Sequence, residues 1–334
     1  MTHLAILGAG SWGTAIAHHL ASKGQAVRLW SRGEDLSREI CESRENARYL
    51  PGIKLPQALE PTSDLEYALT DAAAVFFVVP SHGLRELANT CAQLLPPLVP
   101  LVSATKGIEN TTLMLMTDVL AQELGEHAAA RLCAIGGPSF AREVASGMPT
   151  AICVAGHDHD TAKAVQRVLA GTRLRVYSTE DLVGLELGGA LKNVIALAAG
   201  AADGLGFGHN ARAGLITRGV AEISRLATHL GANPQTLAGL SGMGDLVLTC
   251  TGDLSRNRQV GLELGRGRSL EEVLGEMTMV AEGVRTAKSA YHLALRERVD
   301  MPITTEVYLA LYEGKSPAAA VESLLSRALR PERD

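Results

Sequence analysis

The stretch Leu4-Ala5-Ile6-Leu7-Gly8-Ala9-Gly10-Ser11-Trp12-Gly13-Thr14-Ala15 decides the fold. An apolar run of strand character enters a glycine turn spelled G-x-G-x-x-G, and apolar residues at helical spacing, Ala15, Ile16 and Leu20, leave it. In such a unit Gly8 permits the tight turn, Gly10 lets the backbone approach a pyrophosphate, and Gly13 lets the helix pack close to the strand. The free N–H groups at the helix start, near Ser11 and Trp12, would face phosphate oxygens. Glycine turns also join strands to helices for structural reasons alone, but the strand before this one and the helix after it favour a dinucleotide site.

Outward from that turn, strands and helices alternate. Strands are expected at Ala26 to Trp30, before Asp64, at Ala73 to Val79, Leu101 to Ser103, Leu132 to Ile135, Thr150 to Ala155 and Leu174 to Tyr177, with helices around Leu84 to Leu95 and Leu113 to Leu124. This spacing implies an α/β fold with a parallel, doubly wound sheet of Rossmann type. From about Asp181 helical periodicity takes over, with candidates at Leu182 to Ala202, Ala211 to Leu230, Arg256 to Gly265, Leu270 to Glu276, Val284 to Arg296, Thr305 to Tyr312 and Pro317 to Leu329. The expected organisation is a dinucleotide-binding domain over residues 1–180 and an all-helical, substrate-binding domain over 181–334.

Composition narrows the function. The 334 residues are 46% hydrophobic and 20% charged with a net charge of −5, which argues against a broad nucleic-acid surface but leaves room for a local basic pocket. Cys41, Cys91, Cys133, Cys153 and Cys250 are odd in number and form no C-x-x-C pair, so reduced thiols in a cytoplasm are expected rather than disulfides or a zinc site. No signal peptide is indicated ahead of the first strand. The apolar run Leu187 to Ala202 is short for a membrane span and carries Lys192-Asn193 near its middle, so a helix buried in protein is expected.

Ligands of an open α/β sheet bind beyond the carboxyl ends of the strands. That rule selects the loops Gly8 to Gly13, Ser31-Arg32, Pro80-Ser81, Thr105-Lys106-Gly107 and Gly137-Pro138-Ser139. Each would also make an ordinary turn, although Lys106, just past a strand end, points a cation into the cleft. The second strand ends Trp30-Ser31-Arg32-Gly33 where NAD-specific sites carry an acid, and Arg32 suits a 2′-phosphate, favouring NADP. Lys192 is the only charged residue between Leu187 and Ala202: buried, its lowered pKa would suit proton transfer; at a helix surface, it would merely snorkel. Ser241-Gly242-Met243-Gly244-Asp245 reads as a flexible turn that delivers a carboxylate, or simply as a solvated turn acid. Ser255-Arg256-Asn257 reads as a helix N-cap followed by a guanidinium, a phosphate site unless Arg256 is a plain surface cation. The cluster His157-Asp158-His159-Asp160 reads as helix capping rather than a metal site, and no metal is expected.

Taken together, GAGSWGTA at the start, VPS at 79–81, TKG at 105–107, GPSFA at 137–141, LKN at 191–193, SGMGDL at 241–246, SRN at 255–257 and VAEG at 280–283 resemble the bacterial NAD(P)-dependent glycerol-3-phosphate dehydrogenase family over essentially the whole chain. The resemblance implies reversible conversion of dihydroxyacetone phosphate to sn-glycerol 3-phosphate for phospholipid synthesis, with NADP or NAD as cofactor. It implies Lys192 as the catalytic residue. Lys106, Gly137, Ser139, Asn193, Asp245, Thr249, Ser255, Arg256 and Asn257 would then bind substrate. Gly8, Gly10, Ser11, Trp12, Gly13, Arg32, Tyr49, Ala141, Val280 and Glu282 match cofactor positions, with Lys106 and Arg256 near both ligands. Gly33 departs from the second basic or polar residue that many members carry there, so use of both cofactors is expected. Another hydroxyacid dehydrogenase of the same build, or a protein that senses NAD(P)H without turnover, are the rival readings. A homodimer is left open.

Overall fold

The computed structural model describes residues 2–277, 280–329 and 331–332. Eight strands, β1 (His3–Leu7), β2 (Val27–Trp30), β3 (Leu59–Thr62), β4 (Ala72–Phe77), β5 (Leu101–Ser103), β6 (Leu132–Gly136), β7 (Thr150–Gly156) and β8 (Leu174–Thr179), form one sheet in the order β3-β2-β1-β4-β5-β6-β7-β8. Between and after them run α1 (Ser11–Ser22), α2 (Glu34–Ser43), α3 (Leu65–Leu69), α4 (Leu84–Cys91), α5 (Met116–Leu124), α6 (Glu126–Ala129), α7 (Ala141–Ala145) and α8 (His159–Leu169). The chain winds outward from β1 to β3, then returns to β4 on the other side of β1, so the crevice at the strand ends opens between β1 and β4. The Gly8–Gly13 loop and Pro80-Ser81 flank that crevice.

Period-two burial builds both faces of the sheet. Leu4, Ile6, Ala74 and Phe76 face α1, while Ala5, Leu7, Val75 and Phe77 face α4 and α5. The glycine turn has the close packing its sequence implied. A Cβ on Gly13 would stand 1.9 Å from the Gly8 carbonyl oxygen, and Gly8 itself has φ +123°.

One pairing departs from the all-parallel expectation: β7 runs antiparallel to β6. The segment between them holds only the short α7, which packs on α1 at the same end of the sheet, so the chain re-enters from the end it left. The stretch after β2, where the sequence shows no strong helical pattern, contains α2, whose apolar signal is weak because only Ser37 and Ile40 are buried. The helix expected from Leu113 begins at Met116, because Leu113 has φ +61° in a preceding turn. Asp158 caps α8 by accepting from the Thr161 N–H at 2.8 Å, as the capping reading of the His–Asp cluster implies.

Helices make up the remainder: α9 (Leu182–Gly204), α10 (His209–His229), α11 (Pro234–Ala238), a π turn at Leu240–Gly244, α12 (Asp245–Thr251), α13 (Arg256–Gly265), α14 (Leu270–Gly275), α15 (Glu282–Glu297), α16 (Pro302–Tyr312) and α17 (Pro317–Leu325). Helix α9 is the axis of this layer and is buried nearly all round, with Leu187, Leu191, Val194 and Ile195 in the core. By length and hydropathy it is long enough to cross a membrane, but 89% of its apolar window is buried inside the protein.

Glycine lets α13 lie directly on α9. A Cβ on Gly200 would fall 2.0 Å from the Arg258 carbonyl oxygen, and one on Gly261 would fall 2.1 Å from that of Leu197. Interior glycines disfavour a helix by about 1 kcal/mol each relative to alanine, so this backbone contact must offset that cost. It also brings the N-terminus of α13 against the middle of α9.

Candidate active site

Four segments meet at the strand ends. Lys106 follows β5, Lys192 and Asn193 lie at the middle of α9, Asp245 and Thr249 occupy successive turns of α12, and Ser255 to Asn257 open α13. Lys192 is 7% exposed, which removes the snorkelling alternative, and Asp245 is fully buried, which removes that of a solvated turn acid. The Lys192 Nζ donates to Asp245 Oδ1 at 2.5 Å and to Thr249 Oγ1 at 2.9 Å. Lys106 Nζ donates to Asp245 Oδ2 at 2.7 Å. One carboxylate therefore holds two ammonium groups, that of Lys192 buried and that of Lys106 partly exposed.

Electrostatics follow from that arrangement. Burial lowers the Lys192 ammonium to about 8, against the pull of Asp245 and with repulsion from Lys106. Burial pushes the Asp245 carboxyl up, but Lys106 and Lys192 together outweigh it and hold the group below its ordinary range. A lysine poised near neutral pH, with its proton donors and acceptors fixed, suits transfer of one proton to or from a ligand oxygen.

The supports of α13 are equally specific. Ser255, 3% exposed, caps the helix by accepting from the Arg258 N–H at 3.3 Å. Asn257 Nδ2 donates to Asn193 Oδ1 at 2.9 Å, while Asn257 Oδ1 accepts from the Gly283 N–H at 2.9 Å, so α9, α13 and the start of α15 are tied together. Arg256 is half-buried, and burial lowers its guanidinium from the ordinary value despite the attraction of Glu282. Among the described residues it makes no hydrogen bond or ion pair, so a half-buried guanidinium stands unneutralised at the first position of α13. Such a group suits an anion.

The other named positions divide between two places. Gly137, with φ +115°, and Ser139, whose Oγ donates to the Gly137 carbonyl at 2.9 Å, lie on the loop after β6. That loop reaches the helical layer, since Phe140 packs on Gly252 at the end of α12. Ser11 Oγ donates to the Tyr49 carbonyl at 2.7 Å, and Trp12 packs with Leu50, Ile53 and Ala141 beside the glycine turn. A Cβ on Gly10 would meet no atom within 4 Å, so open space lies where a pyrophosphate would approach. Ser81 Oγ donates to Glu282 Oε2 at 2.8 Å, linking the loop after β4 to the start of α15, and Val280 is exposed beside it. Arg32 is exposed beyond β2, next to the acidic first turn of α2 formed by Glu34 and Asp35.

Two supporting features were not legible. Asn46, 1% exposed, donates from Nδ2 to the Ala9 carbonyl and to Thr14 Oγ1, each at 2.8 Å, and so braces the glycine turn from a segment with no periodic signal. The SGMGD segment is no flexible turn: Leu240–Gly244 is a packed π turn leading straight into α12.

A glycine-turn sheet facing a helical layer, with a buried lysine–carboxylate pair at the strand ends, defines a dinucleotide-dependent oxidoreductase. Sequence models of the NAD-dependent glycerol-3-phosphate dehydrogenase N-terminus and C-terminus match residues 3–162 and 181–322. The chain belongs to that family. It is 53% identical over 332 residues to glycerol-3-phosphate dehydrogenase [NAD(P)+] of Desulfotalea psychrophila, covering 98% of each chain. It is 54% identical over 330 residues to the Geobacter sulfurreducens protein of the same name, covering 99% of this chain and 98% of that one. Its structure is similar to the crystal structure of glycerol-3-phosphate dehydrogenase from Coxiella burnetii, with a TM-score of 0.93 at 41% identity and coverage of 98% and 99%.

Proposed function

We propose that the protein reversibly reduces dihydroxyacetone phosphate with NAD(P)H to sn-glycerol 3-phosphate, the precursor for glycerophospholipid synthesis. The observation that carries this reading is the buried Lys192–Asp245–Lys106 group together with Arg256 at the start of α13, which has no hydrogen-bond or ion-pair partner among the described residues. When bound, the nicotinamide cofactor supplies the hydride. Lys192 gives its proton to the substrate oxygen in reduction and takes it back in oxidation. Lys106 and Asp245 fix that ammonium and orient the reacting end, with Thr249 holding Lys192 from the other side. Ser255, Arg256 and Asn257 hold the phosphate, and Gly137, Ser139 and Asn193 line the substrate.

For the cofactor, the turn from Gly8 to Gly13 with Ser11 and Trp12 would hold the pyrophosphate, and Tyr49, Ala141, Val280 and Glu282 would line it. Arg32 would pair with a 2′-phosphate, which favours NADPH, while Gly33 and the nearby Glu34 and Asp35 weaken that grip enough for NADH to serve. Residues 1–180 act as the cofactor domain and 181–334 as the substrate domain, a division supported by the end of β8 at Thr179 and the start of α9 at Leu182. Five free cysteines support a cytoplasmic setting.

The deciding assay compares NADPH oxidation with dihydroxyacetone phosphate, unphosphorylated dihydroxyacetone and 2-oxo acids. Turnover should be fast only with the first, and a preference for a 2-oxo acid would reject the reading. Arg32→Ala should raise the KM for NADPH more than that for NADH, by roughly ten-fold or more, since a charge-assisted hydrogen bond contributes about 1.5–3 kcal/mol. Equal effects on the two cofactors would remove the basis for NADPH preference. The pH profile has a definite sign. Lys192 must be protonated for reduction, so kcat for reduction should fall as pH rises through about 8, and kcat for glycerol 3-phosphate oxidation should rise over the same range. A profile for reduction that is flat from pH 7 to 9.5 would contradict this assignment.

A further inference from the structure

We propose that Gly188 is a positioning residue for proton transfer: its lack of a side chain lets the turn that carries Asp245 seat deeply enough on α9 to set Asp245 between Lys106 and Lys192. The proposal rests on the reading of Lys192 as proton donor. Gly188 lies one helical turn before Lys192, in the interior of α9, where glycine is intrinsically unfavourable. Its position is filled from outside. A Cβ there would stand 2.4 Å from the Ser241 carbonyl oxygen, 3.1 Å from the Ser241 carbonyl carbon and 3.4 Å from Gly242 Cα. These are backbone atoms of the π turn, which cannot rotate away as a side chain would.

The turn has no room to retreat. A Cβ on Gly242 would lie 2.0 Å from the Leu237 carbonyl oxygen and 2.4 Å from Leu237 Cα, so the α11 backbone packs directly on the turn as well. Toward the sheet, Ser241 is 1% exposed, and its Oγ lies 3.4 Å from where a Cβ on Gly136 would be. The turn is therefore held between α9, α11 and β6, and Asp245 is the next residue. A shift of the turn moves that carboxylate directly. The neighbouring Gly189 is under no such constraint, because a Cβ there would meet the Lys106 stem at an ordinary 3.8 Å.

The consequence can be read at Lys192. Among the described residues, the titratable groups that act most strongly on its charge are Asp245 on α12 and Lys106 on the loop after β5, and Cys250 on α12 is coupled to it as well. Burial pushes the Cys250 thiol up to about 12, so it stays neutral through the working range. Asp245 is thus the only one of the three that favours the protonated lysine. Moving it away should lower the pH at which Lys192 loses its proton.

The test is Gly188→Ala in the full-length protein, with kcat for dihydroxyacetone phosphate reduction measured from pH 6 to 10, together with the KM for NADPH and the melting temperature. The expected result is a kcat at pH 8 reduced about ten-fold or more, a KM for NADPH within about two-fold of wild type, and a high-pH limb displaced to lower pH. A limb at the wild-type position, with kcat lost only in proportion to unfolded protein, would show that Gly188 merely packs and would overturn the proposal. Should this variant not accumulate as folded protein, Leu237→Ala carries the test from the other side. Leu237 is 1% exposed with its side chain in the core of the helical layer, so its truncation loosens the packing of α11, whose backbone abuts the turn. It should move the limb the same way by a smaller amount, and an unmoved limb would again overturn the proposal. Lys192→Met separates the two levels. If that variant turns over normally, the proton-donor reading fails; if it is inactive while the Gly188→Ala limb is unmoved, only the positioning role fails.

Discussion

Lys192→Met is expected to give a folded protein that binds NADPH and has lost about 10²-fold or more in kcat, the usual contribution of a general acid–base group. Reduction of a carbonyl leaves negative charge on the substrate oxygen. A nearby ammonium stabilises that charge and supplies the proton, and both effects are larger in the transition state than in the bound ground state. The loss should therefore fall on kcat rather than on the KM for NADPH. Folding should survive because Met keeps most of the apolar stem at a buried position of α9, and because Asp245 retains Lys106 as a partner at 2.7 Å. Breaking a buried pair is costly chiefly when the remaining charge is left alone, and here it is not. Stopped turnover with normal NADPH binding is the signature, and turnover near the wild-type rate would remove Lys192 from the mechanism.

Local chemistry explains which parts could be read in advance. The strands β1, β4 and β5 announce themselves as short apolar runs because both faces are covered, and the glycine turn is legible because Gly8 takes a positive φ and Gly13 clears the Gly8 carbonyl within the same turn. The antiparallel β7 was not legible, since its direction depends on where α7 docks rather than on any residue in the strand. Lys192 stood out as a lone charge in an apolar helix, but its burial did not follow from that helix, because what covers it comes from α12 and the loop after β5. Asp245 was read as flexible from its glycines. In the structure Gly242 is a close-approach position against the Leu237 backbone while Gly244 makes only ordinary contacts within the same packed turn, and glycine composition alone does not distinguish mobility from tight packing.

Arg256→Ala should raise the KM for dihydroxyacetone phosphate by roughly ten- to 150-fold, the equivalent of about 1.5–3 kcal/mol for a charge-assisted hydrogen bond, with a smaller change in kcat. The guanidinium is half-buried without a partner among the described residues, and burial lowers its pKa without bringing arginine near neutrality. A charge held this way is costly until an anion arrives, so substrate binding recovers what folding left unpaired. The first-turn N–H groups of α13 add to the same attraction, and the Asn257–Asn193 hydrogen bond sets that helix start against the turn of α9 that carries Lys192. Phosphate binding and proton transfer are therefore linked through one rigid contact, which places the reacting carbonyl by anchoring the far end of the substrate. Unphosphorylated dihydroxyacetone provides the internal comparison. It lacks the group that Arg256 would hold, so its slow turnover should be nearly the same in wild type and variant. A loss of equal size for both substrates would mean that Arg256 does not read the phosphate. A rise confined to the KM for NADPH would assign it to the cofactor alone.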